Sequence, residues 1–376
     1  MPRTSVMVAG AGAFGGWTAL HLLRSGAKVT LLDAWGPGNS RSSSGDESRI
    51  IRATYGSSLL YTQMAVDALR LWHENEARWH QKLFVPTGVL WMAVGSDEYE
   101  QASLRTLEQA GAVFEKLSQD ECARRWPQID FHDVLWSTFE PNCGYLLARR
   151  SCEVVMQAFR AEGGDYQQVS VDPGEISGKE MQGVLLNKKE LLRADRYVFA
   201  CGPWLPQLFP FLTGKIRPTR QEVFYFGIAA GDGRFTDEQI PTWIDRSGNA
   251  FYGIPANQWH GFKIASDIRG PEFDPTDGDR RISNKSLAMA RAYMESRFPA
   301  MRGAPLVESR VCQYEQSVDE NFVLDQHPKA ENVWILGGGS GHGFKHGPAF
   351  GLKAAQAVLE IHPPEEELRL QRWLQK

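Results

Sequence analysis

The apolar and polar positions at the start of the chain predict a strand, a helix and a second strand. Residues 5–9 and 28–32 are short β-prone runs, and apolar residues recur at helical spacing over residues 17–24. Glycines separate the first strand from the helix, and Asp33 ends the second strand. This order of strand, glycine turn, helix and strand is typical of a βαβ unit.

The rest of the pattern predicts more helices, short strands and an aromatic-rich sheet. We expect helices over residues 59–79, 97–110 and 283–298, a strand over 84–94, a hairpin at 184–192 (VLLNKKELL), a buried strand at 194–202 (ADRYVFACG), and a strand, glycine-rich turn and helix over 332–361. The strand at 194–202 is interpreted as a return to the first lobe. Aromatic-rich strands between residues 218 and 267 predict a half-buried sheet, interpreted as a substrate lobe.

Composition narrows the class of protein. With 376 residues, 42% of them hydrophobic, the chain is long enough for a large core and two lobes. A net charge of −4 gives no general basic field, so neither nucleic acid nor an anionic membrane is expected as the main partner. No stretch approaches the ~18–20 apolar residues of a membrane span, and the first residues do not resemble a signal peptide. The five widely spaced cysteines suit neither a disulfide framework nor a metal site, so we expect a cytoplasmic protein without metal.

The first motif is GAGAFG at residues 10–15, between the first strand and the helix. Gly10 permits a tight turn, Gly12 lets the backbone approach a pyrophosphate, and Gly15 allows close helix packing. Asp33 is placed to accept hydrogen bonds from a ribose. The motif predicts dinucleotide binding but does not distinguish NAD from FAD.

A second motif, GDESRIIR at residues 45–52, carries two closely spaced arginines. Guanidinium groups in this arrangement suit a substrate carboxylate or an anionic reduced cofactor. The alternative is a surface loop with solvated arginines.

Two further features have both a functional and a purely structural interpretation. GGGSGHGFK at residues 337–345 is a second glycine-rich turn, where Lys345 adds positive charge and His342 is interpreted as a hydrogen-bonding or space-making residue rather than an acid or base. Cys312 lies in a β-prone run, and a lone cysteine is usually an inert core residue.

Together these segments resemble the monomeric sarcosine oxidase and N-methyltryptophan oxidase family, within the wider group of flavin enzymes that includes D-amino acid oxidases. The resemblance runs nearly end to end. The matching segments are GAGAFG with Asp33, GDESRIIRATYG, ACGPW at 200–204, PTRQ at 218–221, and FVLDQHP with SGHGFK near the end.

The resemblance implies roles for individual residues. Cys312 falls where the family joins FAD covalently through a cysteine sulfur. Arg52 and Lys345 fall where the substrate carboxylate is held. The implied catalytic residues are Arg49 beside the flavin, Lys263 in oxygen activation, and Tyr252 lining the substrate pocket. The full set of implied cofactor-binding residues is Gly10, Gly12, Phe14, Gly15, Asp33, Ser44, Arg49, Gly202, Trp204, Cys312, Gly341, Gly343 and Lys345.

Two positions depart from the sarcosine oxidases. Asp267 stands where they carry a pocket histidine, and Gly339 stands where they carry a bulky aromatic residue. An acid facing the substrate favours a substrate that carries a second cationic or hydroxyl-bearing group. Without the aromatic ring at residue 339, the substrate pocket is expected to have more room. Asp267 is therefore assigned to substrate binding, with the alternative that it points away from the site.

The resemblance implies an α/β (α+β) fold with a Rossmann-like FAD-binding domain and an antiparallel-sheet substrate domain, the chain crossing between them. The expected FAD-binding segments are residues 1–82, 145–217 and 305–376, and the substrate segments are 83–144 and 218–304. The expected reaction is oxidation of a small secondary amine or amino acid by hydride transfer to flavin N5, with oxygen as acceptor, giving an imine and hydrogen peroxide in a monomeric enzyme. The alternatives are a nicotinamide-dependent dehydrogenase, a flavin dehydrogenase that reduces another carrier, and a flavin-binding protein without catalysis.

Overall fold

The computed structural model describes residues 3–248, 250–257 and 260–373. The outer ends of the predicted FAD-binding segments, residues 1–2 and 374–376, lie outside them. The α-helices are α1 (Ala13–Arg24), α2 (Leu59–Trp79), α3 (Glu98–Gln109), α4 (Gln119–Arg125), α5 (Ala148–Ala161), α6 (Leu205–Leu208), α7 (Asn284–Arg297) and α8 (Gly347–Val358).

The strands form two large sheets and three small ones. In chain order they are β1 (Ser5–Ala9), β2 (Lys28–Asp33), β3 (Ser48–Ile51), β4 (Phe84–Val85), β5 (Val89–Val94), β6 (Glu115–Ser118), β7 (Val134–Glu140), β8 (Gly144–Leu147), β9 (Asp165–Gln168), β10 (Val171–Pro173), β11 (Ile176–Ser177), β12 (Glu180–Met181), β13 (Val184–Leu186), β14 (Glu190–Leu192), β15 (Arg196–Phe199), β16 (Ile216–Phe226), β17 (Thr242–Asp245), β18 (Phe251–Ile254), β19 (Phe262–Ser266), β20 (Leu306–Ser317), β21 (Val323–His327) and β22 (Ala330–Gly337).

The first large sheet has the order β21-β22-β15-β1-β2-β9. Its central strands are parallel, and β21 adds an antiparallel edge. Val6 and Val8 pack into a core with α1 and α8, whereas Met7 on the opposite face packs with Tyr197. Because both faces are covered, the strand sequences are continuously apolar rather than alternating.

The second large sheet has the order β20-β16-β19-β18-β17-β5-β7-β6 and is antiparallel except where β17 pairs with β5. One face packs against α7 in an aromatic core that contains Trp243, Phe262 and Phe298. This confirms the expected fold class, a Rossmann-like sheet with a second, largely antiparallel sheet. No helix in the described ranges is long and apolar enough to span a membrane.

Two boundaries differ from the expectations. The single strand predicted over residues 84–94 is two strands, since Pro86 and the left-handed Gly88 (φ +72°) redirect the chain. β4 pairs with β8, whereas β5 joins the eight-stranded sheet. β20 falls in a segment predicted for the FAD-binding domain, yet it pairs with β16 along the second sheet. The division into domains stays a prediction.

Candidate cofactor and substrate site

The turn at residues 10–15 is closed by contacts that only glycine permits. Gly10 has φ +102°, and a Cβ there would lie 2.3 Å from the carbonyl oxygen of Ala200. A Cβ on Gly15 would lie 1.9 Å from the carbonyl oxygen of Gly10. The turn therefore packs directly against the end of β15, and α1 begins at Ala13 with its N-terminus at the turn.

Asp33 ties the end of β2 to this turn. Its Oδ2 accepts the Ala11 N–H at 2.7 Å, and its Oδ1 accepts the N–H groups of Trp35 at 2.9 Å and Gly36 at 2.8 Å. Burial raises the pKa of Asp33, and these three donors offset part of that rise. The carboxyl group thus shapes the turn, besides facing the cavity in which a ribose is expected.

A cavity of about 1300 Å³, counted with its open mouth, runs along the carboxyl ends of the parallel strands. Its place at the carboxyl ends of parallel strands, beside the glycine turn of residues 10–15, suits a dinucleotide. The expected cofactor residues that line it are Gly10, Gly12, Phe14, Asp33, Ser44, Arg49, Gly202, Trp204, Gly341 and Gly343. Gly15, Cys312 and Lys345 are not among its lining residues.

Cys312 lies immediately behind the cavity wall. Its Sγ is 3.4 Å from an Nη atom of Arg49 and 3.9 Å from the carbonyl oxygen of Ser43, and both of these residues line the cavity. The thiol is buried and not in a disulfide. A nucleophilic sulfur beside a guanidinium is compatible with attachment to a ring in this cavity.

Lys263 and Arg49 are brought together by Asp46. Asp46 Oδ2 accepts from Lys263 Nζ at 2.6 Å and from Arg49 at 2.5 Å, and its Oδ1 accepts from the Tyr225 hydroxyl at 2.7 Å. Burial alone would raise the pKa of Asp46, but the two cations hold it below its ordinary value. Lys263, 1% exposed, also donates to the carbonyl oxygen of Ser48 at 2.8 Å.

Lys345 lies in a second buried cluster. Its Nζ donates to the Tyr55 hydroxyl and to the carbonyl oxygen of His342, both at 2.8 Å. The Tyr55 hydroxyl also meets His346 Nε2 at 2.7 Å. Burial lowers the pKa of Lys345 well below its usual range, and the charge of Arg52 lowers it further.

Arg52 lies between two aromatic rings. Its guanidinium carbon is 4.4 Å from the ring centre of Tyr55 and 4.5 Å from that of Trp91. It also donates to the carbonyl oxygen of Thr54. Within the described part of the chain, no carboxylate forms an ion pair with Arg52 or Lys345. Neither side chain therefore has a counter-charge there, and burial favours the neutral form of Lys345.

Asp267 and Tyr252 meet at Tyr314, which lines the cavity. The Tyr314 hydroxyl donates to Asp267 Oδ1 at 3.2 Å and lies 3.4 Å from the Tyr252 hydroxyl. Asp267 Oδ2 is 3.1 Å from Arg269, and its side chain is 48% exposed. Asp267 is thus about half exposed and paired with Arg269, and it is not an isolated buried acid.

Gly339 lines the cavity, and a Cβ there would lie 2.9 Å from Oε1 of Glu315. The expectation that Gly339 leaves room for the substrate stays a prediction. Sequence reasoning assigned no role to Glu315 or to Tyr314. It also left Asp46 and Tyr55 unassigned, although both stand inside the GDESRIIRATYG segment, which is the signal that pointed to them.

The fold and the cavity define a dinucleotide-binding protein. Glycine turns at residues 10–15, 202 and 337–343 line one cleft, together with the end of α1, and this fits a long cofactor with a pyrophosphate. An unpartnered buried carboxylate oxygen, Oε2 of Glu315, borders the same cleft.

Comparisons with known proteins identify the kind of dinucleotide. The family described as FAD dependent oxidoreductase matches residues 5–357. Monomeric sarcosine oxidase from Bacillus sp. (strain NS-129) is 30% identical over 364 residues, covering 93% of this chain and 92% of the relative. N-methyl-L-tryptophan oxidase from Salmonella arizonae is 27% identical over 367 residues, covering 96% of each.

A solved structure shows the same fold at lower identity. A mutant of Amadoriase I from Aspergillus fumigatus superposes with a TM-score of 0.84 at 20% identity, covering 98% of this chain and 89% of the other. The chain belongs to the FAD dependent oxidoreductase family. It is therefore an FAD-dependent oxidoreductase, and both the expected cofactor and the resemblance to the sarcosine and N-methyltryptophan oxidases are confirmed.

Proposed function

We propose that this chain oxidises a small secondary amine that carries a carboxylate, an N-substituted amino acid, with oxygen as the electron acceptor. The observation that carries the proposal is the pair of cations, Arg52 and Lys345, without a carboxylate partner in the described ranges. The names of the relatives, a sarcosine oxidase and an N-methyltryptophan oxidase, support this substrate class.

The two cations suit a carboxylate for different reasons. Arg52 has one Nη bonded to Thr54, and its guanidinium is held between two rings, so its direction is set before binding. Lys345 is buried with a lowered pKa, and an incoming carboxylate favours its protonated form. Binding of the anion would thus stabilise a charge on Lys345 that burial disfavours.

FAD, when bound, would supply the redox chemistry, which is acceptance of a hydride equivalent from the α C–H of the amine and transfer of the two electrons to oxygen to give hydrogen peroxide. The chain holds the substrate and adjusts charge. Arg49, Arg52 and Lys345 disfavour a further positive charge nearby, which helps the substrate ammonium lose its proton. Arg49 with Lys263 places positive charge at the cavity wall, where anionic species are stabilised.

Cys312 is the proposed point of covalent attachment, because its sulfur lies behind the cavity wall beside Arg49. Asp267 and Tyr252 are proposed to border the far end of the substrate. Since Asp267 is already paired with Arg269, a polar hydroxyl-bearing or amide-bearing group suits it better than a full cation.

The test is flavin bleaching without oxygen. The purified protein is mixed anaerobically with N-methyl, cyclic and sugar-derived amino acids, each compared with the matching amine that lacks the carboxylate. We expect bleaching by at least one amino acid, at least ten-fold weaker apparent binding of its decarboxylated partner, and peroxide once air is admitted.

The alternatives give different results. Bleaching without peroxide would indicate a dehydrogenase that uses another acceptor, and no bleaching by any amine would indicate a flavin-binding protein without this activity. Equal binding of an amino acid and its decarboxylated partner would remove Arg52 and Lys345 from the substrate site. Arg52→Gln and Lys345→Gln should each weaken binding of the amino acid only. Arg70→Gln, on an exposed i,i+4 pair, is the control.

A further inference from the structure

Glu315 is a buried acid at the edge of the cofactor cavity with no role in the proposed chemistry. It lies on β20, the edge strand of the eight-stranded sheet, and its side chain lines the cavity. Its Oε1 accepts the Gly339 N–H at 3.1 Å, and its main-chain carbonyl oxygen accepts the Ser340 N–H at 3.2 Å. The carboxyl group is therefore fixed in position by the glycine-rich turn.

The other carboxyl oxygen is unused. Oε2 is buried and has no hydrogen-bond partner within the described ranges. A buried polar atom without a partner carries a desolvation penalty that a hydrogen-bond donor removes. Burial accordingly raises the pKa of Glu315 to about 7, although the N–H groups of Gly339 and Gly338 offset part of the effect.

Oε2 lies against glycines at the wall of the cavity. A Cβ on Gly202 would lie 3.6 Å from Oε2, and one on Gly337 would lie 3.3 Å from it. Neither glycine places a side chain beside the oxygen. Gly202 and Glu315 both line the cavity, so the buried Oε2 borders the space in which the cofactor is expected.

We propose that Oε2 of Glu315 accepts a hydrogen bond from a hydroxyl of the ribityl chain of FAD. A carboxylate repels the pyrophosphate, which is expected at the turn of residues 10–15 and the N-terminus of α1. Cys312, three residues earlier on the same strand and about 10 Å away along it, marks the proposed position of the flavin ring. The ribityl chain joins these two parts and carries hydroxyl donors. The placement rests on the proposed attachment at Cys312, but not on the identity of the amine.

The experiment measures FAD binding without any amine, so it stands apart from the test of amine oxidation. Full-length apoprotein with Cys312→Ser, which prevents attachment, is titrated by fluorescence with FAD, with analogues that each lack one ribityl hydroxyl, and with FAD methylated at N3. We expect one deoxy analogue to bind about ten-fold or more weakly than FAD. Glu315→Ala should weaken FAD to a similar extent but leave that analogue unchanged.

Each outcome decides the proposal. Equal loss for FAD and all deoxy analogues in Glu315→Ala would assign Glu315 a purely structural role. A loss confined to the N3-methylated cofactor would assign the donor to the flavin ring. Unchanged FAD affinity would also overturn the proposal. If Glu315→Ala does not fold, Glu315→Gln and the analogue series on the Cys312→Ser chain give the same comparison. Glu331→Gln, an exposed residue of β22 paired with Lys179, is the control.

Discussion

At the scale of single residues, Asp46 explains how separate parts of the sequence become one cluster. It accepts from Lys263 on β19, from Arg49 on β3 and from Tyr225 on β16. The two cations hold the pKa of Asp46 below its ordinary value, so Asp46 is ionised and stabilises positive charge on both of them. Burial opposes this at Lys263 and lowers the pKa of that lysine. The lysine expected to activate oxygen is thus a member of a buried ion pair.

Lys263→Met should slow reoxidation of the reduced flavin far more than its reduction, because it removes the positive charge that Asp46 holds beside Arg49, which lines the cavity. Stopped-flow absorbance measures the two half-reactions separately. Breaking a buried pair also costs about 3–5 kcal/mol of stability, so denaturant unfolding is recorded alongside. Lys116→Met, at a partly open site over the ring of Trp136, is the control. Equal slowing of both half-reactions would contradict a role in the oxygen step.

Cys312→Ser should abolish covalent attachment while the nucleotide fold is kept, since serine preserves size but is a poor nucleophile here. The measurement is the visible spectrum of pellet and supernatant after acid precipitation. Yellow colour should stay in the pellet for the unaltered chain and for the control Cys152→Ser, a second buried thiol, and move to the supernatant for Cys312→Ser. Colour retained in the Cys312→Ser pellet would place the attachment elsewhere.

Glu315 should make the apoprotein less stable as pH rises. Its pKa is raised from 4.5 to about 7 in the folded chain, so between these values the folded state binds more protons than the unfolded state. The contribution of Glu315 to stability is greatest below pH 4.5 and is lost as pH rises through about 7, by up to ~3 kcal/mol. Urea unfolding of the apoprotein at several pH values, compared with Glu315→Gln, measures this. Parallel curves for the two proteins would show that the carboxyl does not titrate in this range.

At the scale of elements, the site is built where strands end. β1, β15 and β22 are parallel neighbours, and each is followed by a glycine-containing turn at the same edge of the sheet. Parallel strands bring their carboxyl ends together, which is where α/β sheets bind ligands. Small residues in these turns let the main chain approach the cofactor.

Gly10→Ala should lower both FAD content and stability more than Gly95→Ala. Both glycines have positive φ, +102° and +76°, but only Gly10 is in steric contact, whereas a Cβ on Gly95 meets nothing within 4 Å. The conformational penalty of roughly 1 kcal/mol is therefore shared, and the clash with Ala200 is added for Gly10 alone. Flavin absorbance per chain and thermal unfolding measure the difference. Similar losses in both variants would mean that backbone conformation, not contact, selects glycine.

Most long elements followed from periodicity, and the failures have a physical cause. The helices at 59–79, 97–110 and 283–298 correspond to α2, α3 and α7 within about one residue. The prediction of one strand over residues 84–94 was wrong, because the apolar pattern of a segment does not show which sheet it joins. The hairpin at 184–192 is confirmed as β13 and β14, with Asn187 and Lys188 at positive φ in its turn.

At the scale of the whole molecule, a side chain of the eight-stranded sheet holds the segment that follows β3. Glu140 on β7 accepts from the Ala53 N–H at 2.7 Å and from the Thr54 N–H at 3.2 Å and hydroxyl at 2.6 Å. The segment it holds joins β3 to α2 and carries Arg52 and Tyr55. The second large sheet therefore fixes the segment that carries two residues of the proposed substrate site.

Glu140→Gln should raise KM by about ten-fold with little change in flavin content, because charge-assisted bonds worth ~1.5–3 kcal/mol are replaced by weaker ones and Arg52 loses its fixed position. Steady-state kinetics with the substrate found by the bleaching test measures KM and kcat separately. Glu115→Gln, at a half-buried acid on the neighbouring β6 that pairs with Arg125, is the control. A fall in flavin content instead of a rise in KM would mean that Glu140 supports the cofactor lobe.

The sequence by itself determined the local framework: the βαβ unit, the glycine turn with Asp33, the paired arginines, and a family resemblance that extends along the chain. These are short-range features, because strand period, turn conformation and close packing at glycine depend on neighbouring residues. Only the tertiary structure decided the long-range pairings. It placed Asp46 beside Lys263, separated by 217 positions, and Tyr55 beside Lys345, separated by 290. It also placed the carboxyl group of Glu315 beside Gly339. Such contacts depend on how two sheets meet, and no local periodicity encodes that.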